Sequence, residues 1–204
     1  EYGFGQKTGI DLPGEASTAS LIFSEEQLAQ TESNLAVSSF GQGFNVTMVQ
    51  LASSFCSLIN GGDLYQPHVV KKVVDDSGNT VQEINPVVLK ETVSQKVSDT
   101  LRDYMYTVVS EGTGAKAAVE GYAIGGKTGT AEKVPRGSGN YVVSFIGYAP
   151  VEDPQVVVYV VVDVPHVEAQ DHCSQASFIA KNIFSLPYII KDDFQKLVDL
   201  SLFY

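Results

Sequence analysis

Apolar positions fall at helical spacing in three stretches of the chain and run as strands in several others. Met48, Leu51, Ala52, Phe55, Leu58 and Ile59 recur at intervals of three and four, so they predict an amphipathic helix. Thr47 and Gln50 form a candidate capping box at its start, and Gly61-Gly62 offers a left-handed stop at its end. A shorter box, Ser24 with Gln27, predicts a short helix before it. Ser94 is placed to cap a third helix, whose stripe of Val97, Leu101, Tyr104, Met105 and Val108 is read as core and which ends at Gly112. Residues 69–75 and 80–84 flank Asp76-Ser77-Gly78-Asn79 and predict a hairpin. Three strand-like segments follow at 122–133, 141–149 and 156–164. The short turns between them predict an antiparallel meander, because parallel neighbours need long crossovers. A last helix is expected to begin within 177–184, and residues 1–23, rich in Gly, Pro, Ser and Thr, read as loop. The pattern predicts an α+β fold, an antiparallel sheet flanked by helices.

Composition narrows the partners more than the fold. The chain has 204 residues, 44% hydrophobic and 18% charged, which suits one domain or most of a larger one. Its net charge of −11 argues against nucleic acid, since phosphate binding needs clustered Lys and Arg. The acidity itself reads as solubility. Two cysteines, Cys56 and Cys173, imply no disulfide framework and no zinc site, although one bridge between them stays open. Cys56 reads as a small buried hydrophobe in its helix. His166, Asp171, His172 and Cys173 match no standard zinc spacing and read as a solvated loop. No metal and no cofactor are expected. The longest apolar run, 156–162, is far too short to cross a bilayer. The start at Glu1, without methionine or leader, is taken as a sign that the chain is a piece of something longer.

The chemistry concentrates in Gly125-Gly126-Lys127-Thr128-Gly129-Thr130-Ala131-Glu132. Lys-Thr-Gly on a strand is one of three elements of serine acyl-transfer sites; the others are a nucleophile in Ser-x-x-Lys and a Ser-x-Asn. No lysine here has a serine three residues before it. Alternation on a strand sends Lys127 and Gly129 to one face and Thr128 and Thr130 to the other. Gly129 is expected to let a ligand backbone approach closely, and a free strand edge would accept an extended peptide. The same residues formally satisfy the phosphate-cradling pattern from Gly121 to Thr128, with 160–163 resembling a magnesium-holding strand. That reading requires a long helix directly after Thr128, and Gly129, Pro135, Gly137 and Gly139 exclude one. Ser77-Gly78-Asn79 and Ser138-Gly139-Asn140 match Ser-x-Asn but read as turns. So do Gly41-Gln42-Gly43 and Gly112-Thr113-Gly114.

The wider sequence resembles class B penicillin-binding proteins. Residues 3–15 (Gly3-Phe4-Gly5-Gln6-Lys7-Thr8-Gly9-Ile10-Asp11-Leu12-Pro13-Gly14-Glu15) look like the segment after that family's Ser-x-Asn element. Ser39-Phe40-Gly41-Gln42-Gly43, Val46-Thr47, Gln50-Leu51-Ala52 and Asn60-Gly61-Gly62 resemble its glycine turn and ensuing helix. Gly112-Thr113-Gly114 and residues 125–130 resemble its approach to the Lys-Thr-Gly strand, and residues 144–150 the strand after it. The match runs in the family's order over nearly the whole chain. The resemblance implies a β-lactamase/transpeptidase-like fold of which residues 1–204 are the C-terminal portion. It implies that Lys127 interacts with a Ser-x-Asn serine, and that Thr128 and Thr130 hydroxyls bind the carboxylate of a D-Ala-D-Ala stem peptide or a β-lactam. The Thr130 N–H would serve an oxyanion hole. Glu132 stands where the family often has glutamine. The resemblance also implies a peptidoglycan D,D-transpeptidase as the intact parent, anchored upstream and facing outward from the cytoplasmic membrane. Its partners would be the rest of the domain and cell-wall synthesis proteins. This chain alone is expected to be inactive. A nucleophile-free scaffold and a β-lactamase or β-lactam sensor are the other readings.

Overall fold

A computed structural model describes residues 2–172 and 174–186. The chain forms two compact units that divide between Ser98 and Asp99.

In the first unit, α1 (Glu25–Gln30) starts at the predicted capping box, with Ser24 accepting from the Gln27 N–H and Gln27 reaching back. A second helix, α2 (Glu32–Ser39), follows directly on a Thr31 cap that the sequence reading missed. The helix α3 (Met48–Ile59) starts at Thr47 as expected, but its capping box is only half made. The Gln50 amide instead turns inward and donates to the carbonyls of Gly3 (2.6 Å) and Gln6 (2.8 Å). The buried face is accordingly rotated from the apolar stripe. Gln50, Ser54, Phe55, Ser57 and Ile59 are buried, whereas Met48 is half exposed. The polar members are tolerated because Ser54 donates to the Gln50 carbonyl and Ser57 to that of Ser54. Gly61 and Gly62 take φ of 100° and 118° after the helix, the left-handed stop anticipated from sequence.

Two small antiparallel sheets complete this unit. The strand β1 (Asp63–Tyr65) pairs with β4 (Val88–Glu91), a pairing absent from the sequence reading. The predicted hairpin is β2 (Lys72–Val74) with β3 (Thr80–Glu83), shorter than expected. The loop at the start is pinned by two carboxylates. Glu15 accepts from the Thr8 hydroxyl and N–H and from the Gly9 N–H, and Asp11 from the N–H groups of Val69 and Val70.

The helix α4 (Gln95–Ser110) was correctly placed, but its stripe was half wrong. Val97 and Tyr104 are exposed, and the buried positions are Ser98, Met105 and Val109. The inward face is turned about one residue onward from the predicted stripe, so Val97 and Tyr104 fall outside it while Met105 stays within it.

The second unit is built on the predicted meander: β5 (Gly125–Glu132), β6 (Tyr141–Ala149) and β7 (Val156–Asp163), antiparallel in that order. The register is regular from Gly125 opposite Tyr148 to Glu132 opposite Tyr141. The helix α5 (Ser174–Phe184) packs Ala176, Ala180 and Phe184 against Phe145, Ala149 and Val158. Ala176, Ala180 and Phe184 are spaced by four, so the small residues let the helix approach and the phenyl ring fills the far end. Tyr148, wholly buried, donates its hydroxyl to the Arg102 carbonyl at 3.0 Å, and burial raises its pKa. Cys56 is a half-buried free thiol whose pKa burial pushes up. Cys173 lies outside the described residues. Among those residues no helix is long and apolar enough to cross a membrane.

Candidate active site

Lys127, Thr128, Gly129 and Thr130 are consecutive on β5, which among the described residues is an edge strand, bonded in its sheet only to β6. The unbroken register places Lys127 and Gly129 opposite Ile146 and Ser144, and Thr128 and Thr130 opposite Phe145 and Val143. Phe145 and Val143 are buried. The two threonines therefore stand on the face that carries the α5 core, and Lys127 on the other, as alternation requires.

Each of these side chains has a neighbour. The Lys127 ammonium lies along its own strand and donates to the Thr128 carbonyl at 2.9 Å. The Thr128 and Thr113 hydroxyls are 2.9 Å apart. Thr130 donates to the Asp171 carbonyl at 3.4 Å, a long bond. Lys127 and Thr130 are exposed, so both can reach a bound molecule.

The Thr113 contact has a built support. Gly114 N donates to the Val108 carbonyl at 2.9 Å and Ala117 N to the Gly114 carbonyl at 2.8 Å, closing a tight turn after α4. A Cβ at Gly112 would lie 3.0 Å from the Val108 carbonyl oxygen, and one at Gly114 3.1 Å from it. The turn geometry read from Gly112-Thr113-Gly114 is thus present, and its product is a hydroxyl delivered to Thr128. The sequence reading assigned Thr113 and Asp171 no part at β5. The glycines on both sides of Thr113 were the available signal; nothing local to Asp171 marks it.

Gly129 also leaves room for a side chain within the sheet. A Cβ there would come within 2.5 Å of the Ser144 hydroxyl oxygen, so a side chain at this position must displace Ser144. Glu132 accepts from the Gly137 N–H and so ties the turn between β5 and β6. Ser77-Gly78-Asn79 is the tip of the first unit's hairpin, with Asp75 accepting from Ser77 and Asn79. Ser138-Gly139-Asn140 lies in the β5–β6 turn, where Gly137 and Gly139 have positive φ. The phosphate-loop alternative fails on structure: Lys127 and Thr128 continue as strand to Glu132, with no helix to aim at phosphates. Asp163 of its supposed metal strand is paired with Lys133 at 2.7 Å. Among the described residues no group of three or more His, Cys, Asp or Glu is placed to hold a metal.

Known proteins share both the sequence and this architecture. The Bacillus subtilis stage V sporulation protein D is 44% identical over 193 residues, covering 92% of this chain and 29% of that protein. PbpB of Mycolicibacterium smegmatis is 33% identical over 177 residues, covering 81% of the chain and 26% of its own length. The crystal structure of apo penicillin-binding protein 3 from Mycobacterium tuberculosis superposes with a TM-score of 0.77 at 29% identity, covering 89% of this chain and 43% of that one. The chain thus spans between a quarter and a half of these relatives. Residues 1–185 match the family described as the penicillin binding protein transpeptidase domain, and the chain belongs to that family.

Proposed function

We propose that residues 1–204 are the C-terminal portion of the transpeptidase domain of a peptidoglycan D,D-transpeptidase, and that β5 is one wall of its acyl-transfer site. The observation that carries this reading is the position of Lys127-Thr128-Gly129-Thr130 on a sheet edge that is unpaired among the described residues, in a chain of this family. An extended D-Ala-D-Ala peptide would lie along that edge by main-chain hydrogen bonds. A serine hydroxyl supplied by the rest of the domain attacks the penultimate carbonyl, and D-alanine leaves with a proton. The amine of a second stem peptide then displaces the serine from the acyl-enzyme. Lys127 is assigned to the proton path through the Ser-x-Asn serine, and the Thr128 and Thr130 hydroxyls to the substrate carboxylate. The Thr130 N–H is assigned to the developing oxyanion. Either hydroxyl of the Thr113–Thr128 pair can donate to the other, and the sense in which Thr113 donates is assigned here because it leaves the Thr128 hydrogen to point at that carboxylate.

β-Lactams would acylate the same serine. The M. tuberculosis relative has been solved in complex with ampicillin, which supports penicillin binding here. The site would face outward from the cytoplasmic membrane, anchored by an upstream segment, alongside other cell-wall synthesis proteins. The chain alone is assigned no turnover because its sequence holds no Ser-x-x-Lys.

Intact-mass spectrometry after penicillin treatment tests this on the chain alone and on the full-length protein. A covalent adduct is expected only on the full-length protein, and Lys127→Ala should slow its formation about 100-fold or more. An adduct on the isolated chain, or a Lys127→Ala rate equal to wild type, would overturn the assignment. No adduct on either would favour the nucleophile-free scaffold.

A further inference from the structure

The main chain of β5 points two ways. Lys133 N donates to the Asn140 carbonyl at 2.8 Å where the β5–β6 ladder closes. Alternation then turns the N–H and C=O groups of Lys127, Gly129 and Ala131 toward β6. Those of Thr128, Thr130 and Glu132 face the edge that is unpaired among the described residues. A donor peptide with its carboxylate at Thr128 and Thr130 and its scissile carbonyl at the Thr130 N–H runs antiparallel to β5. Its penultimate residue stands opposite Thr130, and the residue before that stands opposite Ala131. In a stem peptide this third-from-last residue is an L-diamino acid. Opposed residues share a face, so its side chain falls on the face of Ala131.

That face carries one pair of charges. Ala131, Val142 and Asp163 are partners in one cross-strand row, and the Lys133 ammonium reaches both Asp163 carboxylate oxygens, at 2.7 and 3.0 Å. An ammonium has three hydrogens, so one is left to give. Both side chains are open to solvent, and an exposed ion pair contributes little to stability, so it can share its partners with a ligand. Glu132 is on the other face and accepts from the Gly137 N–H, and Arg136 belongs to the exposed turn.

We infer, on the acyl-transfer reading of β5, that Lys133 held by Asp163 is a specificity site for a diamino residue whose side chain ends in both a carboxylate and an ammonium. The carboxylate takes the remaining Lys133 hydrogen. The ammonium on the same carbon then comes within reach of Asp163. A side chain that ends in an amine alone offers Lys133 no acceptor and meets a carboxylate already paired.

Two α-N-acetylated tripeptides, lysyl-D-Ala-D-Ala and meso-diaminopimelyl-D-Ala-D-Ala, test this as competitors of penicillin acylation of the full-length protein, followed by intact mass. The diaminopimelyl peptide is expected to halve the acylation rate at about one-tenth the concentration of the lysyl peptide. Lys133→Gln should bring the two concentrations together, whereas Lys133→Arg should keep them apart. Equal competition on the wild-type protein, none by either peptide, or a preference that survives Lys133→Gln would overturn this specificity and leave the acyl-transfer reading standing. A full-length protein that penicillin does not acylate would overturn both.

Discussion

At the scale of single residues, the chemistry proposed for β5 depends on neighbours that come from distant parts of the chain. Thr128 is oriented by Thr113, fifteen positions earlier, and Thr130 by a backbone carbonyl forty-one positions later. A threonine hydroxyl has one hydrogen to give, so the donor it receives from decides where that hydrogen points. Replacing Thr113 by Val keeps its shape and removes the hydroxyl that partners Thr128. β-Lactam acylation of the full-length protein is expected to slow by about five- to tenfold, the effect of one neutral hydrogen bond. Thr113→Ser should restore the rate, whereas a purely steric role would make Val the milder change. Gln50 teaches the same lesson in the first unit. Its position suited a capping box, but the buried side chain gives its amide hydrogens to two loop carbonyls instead, because a buried donor needs partners.

At the scale of elements, α5 holds the second unit's sheet through one row of residues. Phe184 is 1% exposed at the end of that row, while Phe178 on the opposite face is 57% exposed. Phe184→Ala is therefore expected to cost about 3–5 kcal/mol in unfolding free energy, and Phe178→Ala within about 0.5 kcal/mol. Urea titration of both variants measures the difference, and equal midpoints would show that the packing described for α5 is not what stabilises this unit. Helix α4 marks the limit of periodicity as a guide. Its apolar positions support more than one stripe, and only the packing partner decides which is buried. Its start near Ser94 was legible because caps are local, and so were the meander's strands, because their turns are short.

At the scale of the whole molecule, charge dominates the expected behaviour. The pI is near 4.6, so the chain should be least soluble at that pH, and light scattering across pH 3–8 measures it. The loop of the first unit adds a second acid response. Glu15 is held below the usual carboxylate range by the Thr8 hydroxyl and N–H, and Asp11 by the Val69 and Val70 N–H groups. Both carboxyls have a lower pKa folded than unfolded, so their contribution is fully present above about pH 4.5 and disappears as pH falls through the folded values. Hydrogen-exchange protection at Thr8, Gly9, Val69 and Val70 should therefore fall below about pH 4, and Asp11→Asn should remove the response at the two valines. A protection that stays constant to pH 3 would contradict that assignment.

The sequence by itself determined the starts of α1, α3 and α4, the glycine stop after α3, the hairpin tip, the antiparallel meander and the family. These are set by caps, turn residues and local alternation, which act over a few positions. It also marked Lys127-Thr128-Gly129-Thr130, because the order of side chains along a strand is written in the chain. Only the tertiary structure decided that β5 is a sheet edge, which face of α3 and α4 is buried, and that β1 finds β4. Only it brought Thr113 and Asp171 to β5. Each of these is a choice among partners distant in sequence, and packing and hydrogen-bond satisfaction make that choice where local pattern is silent.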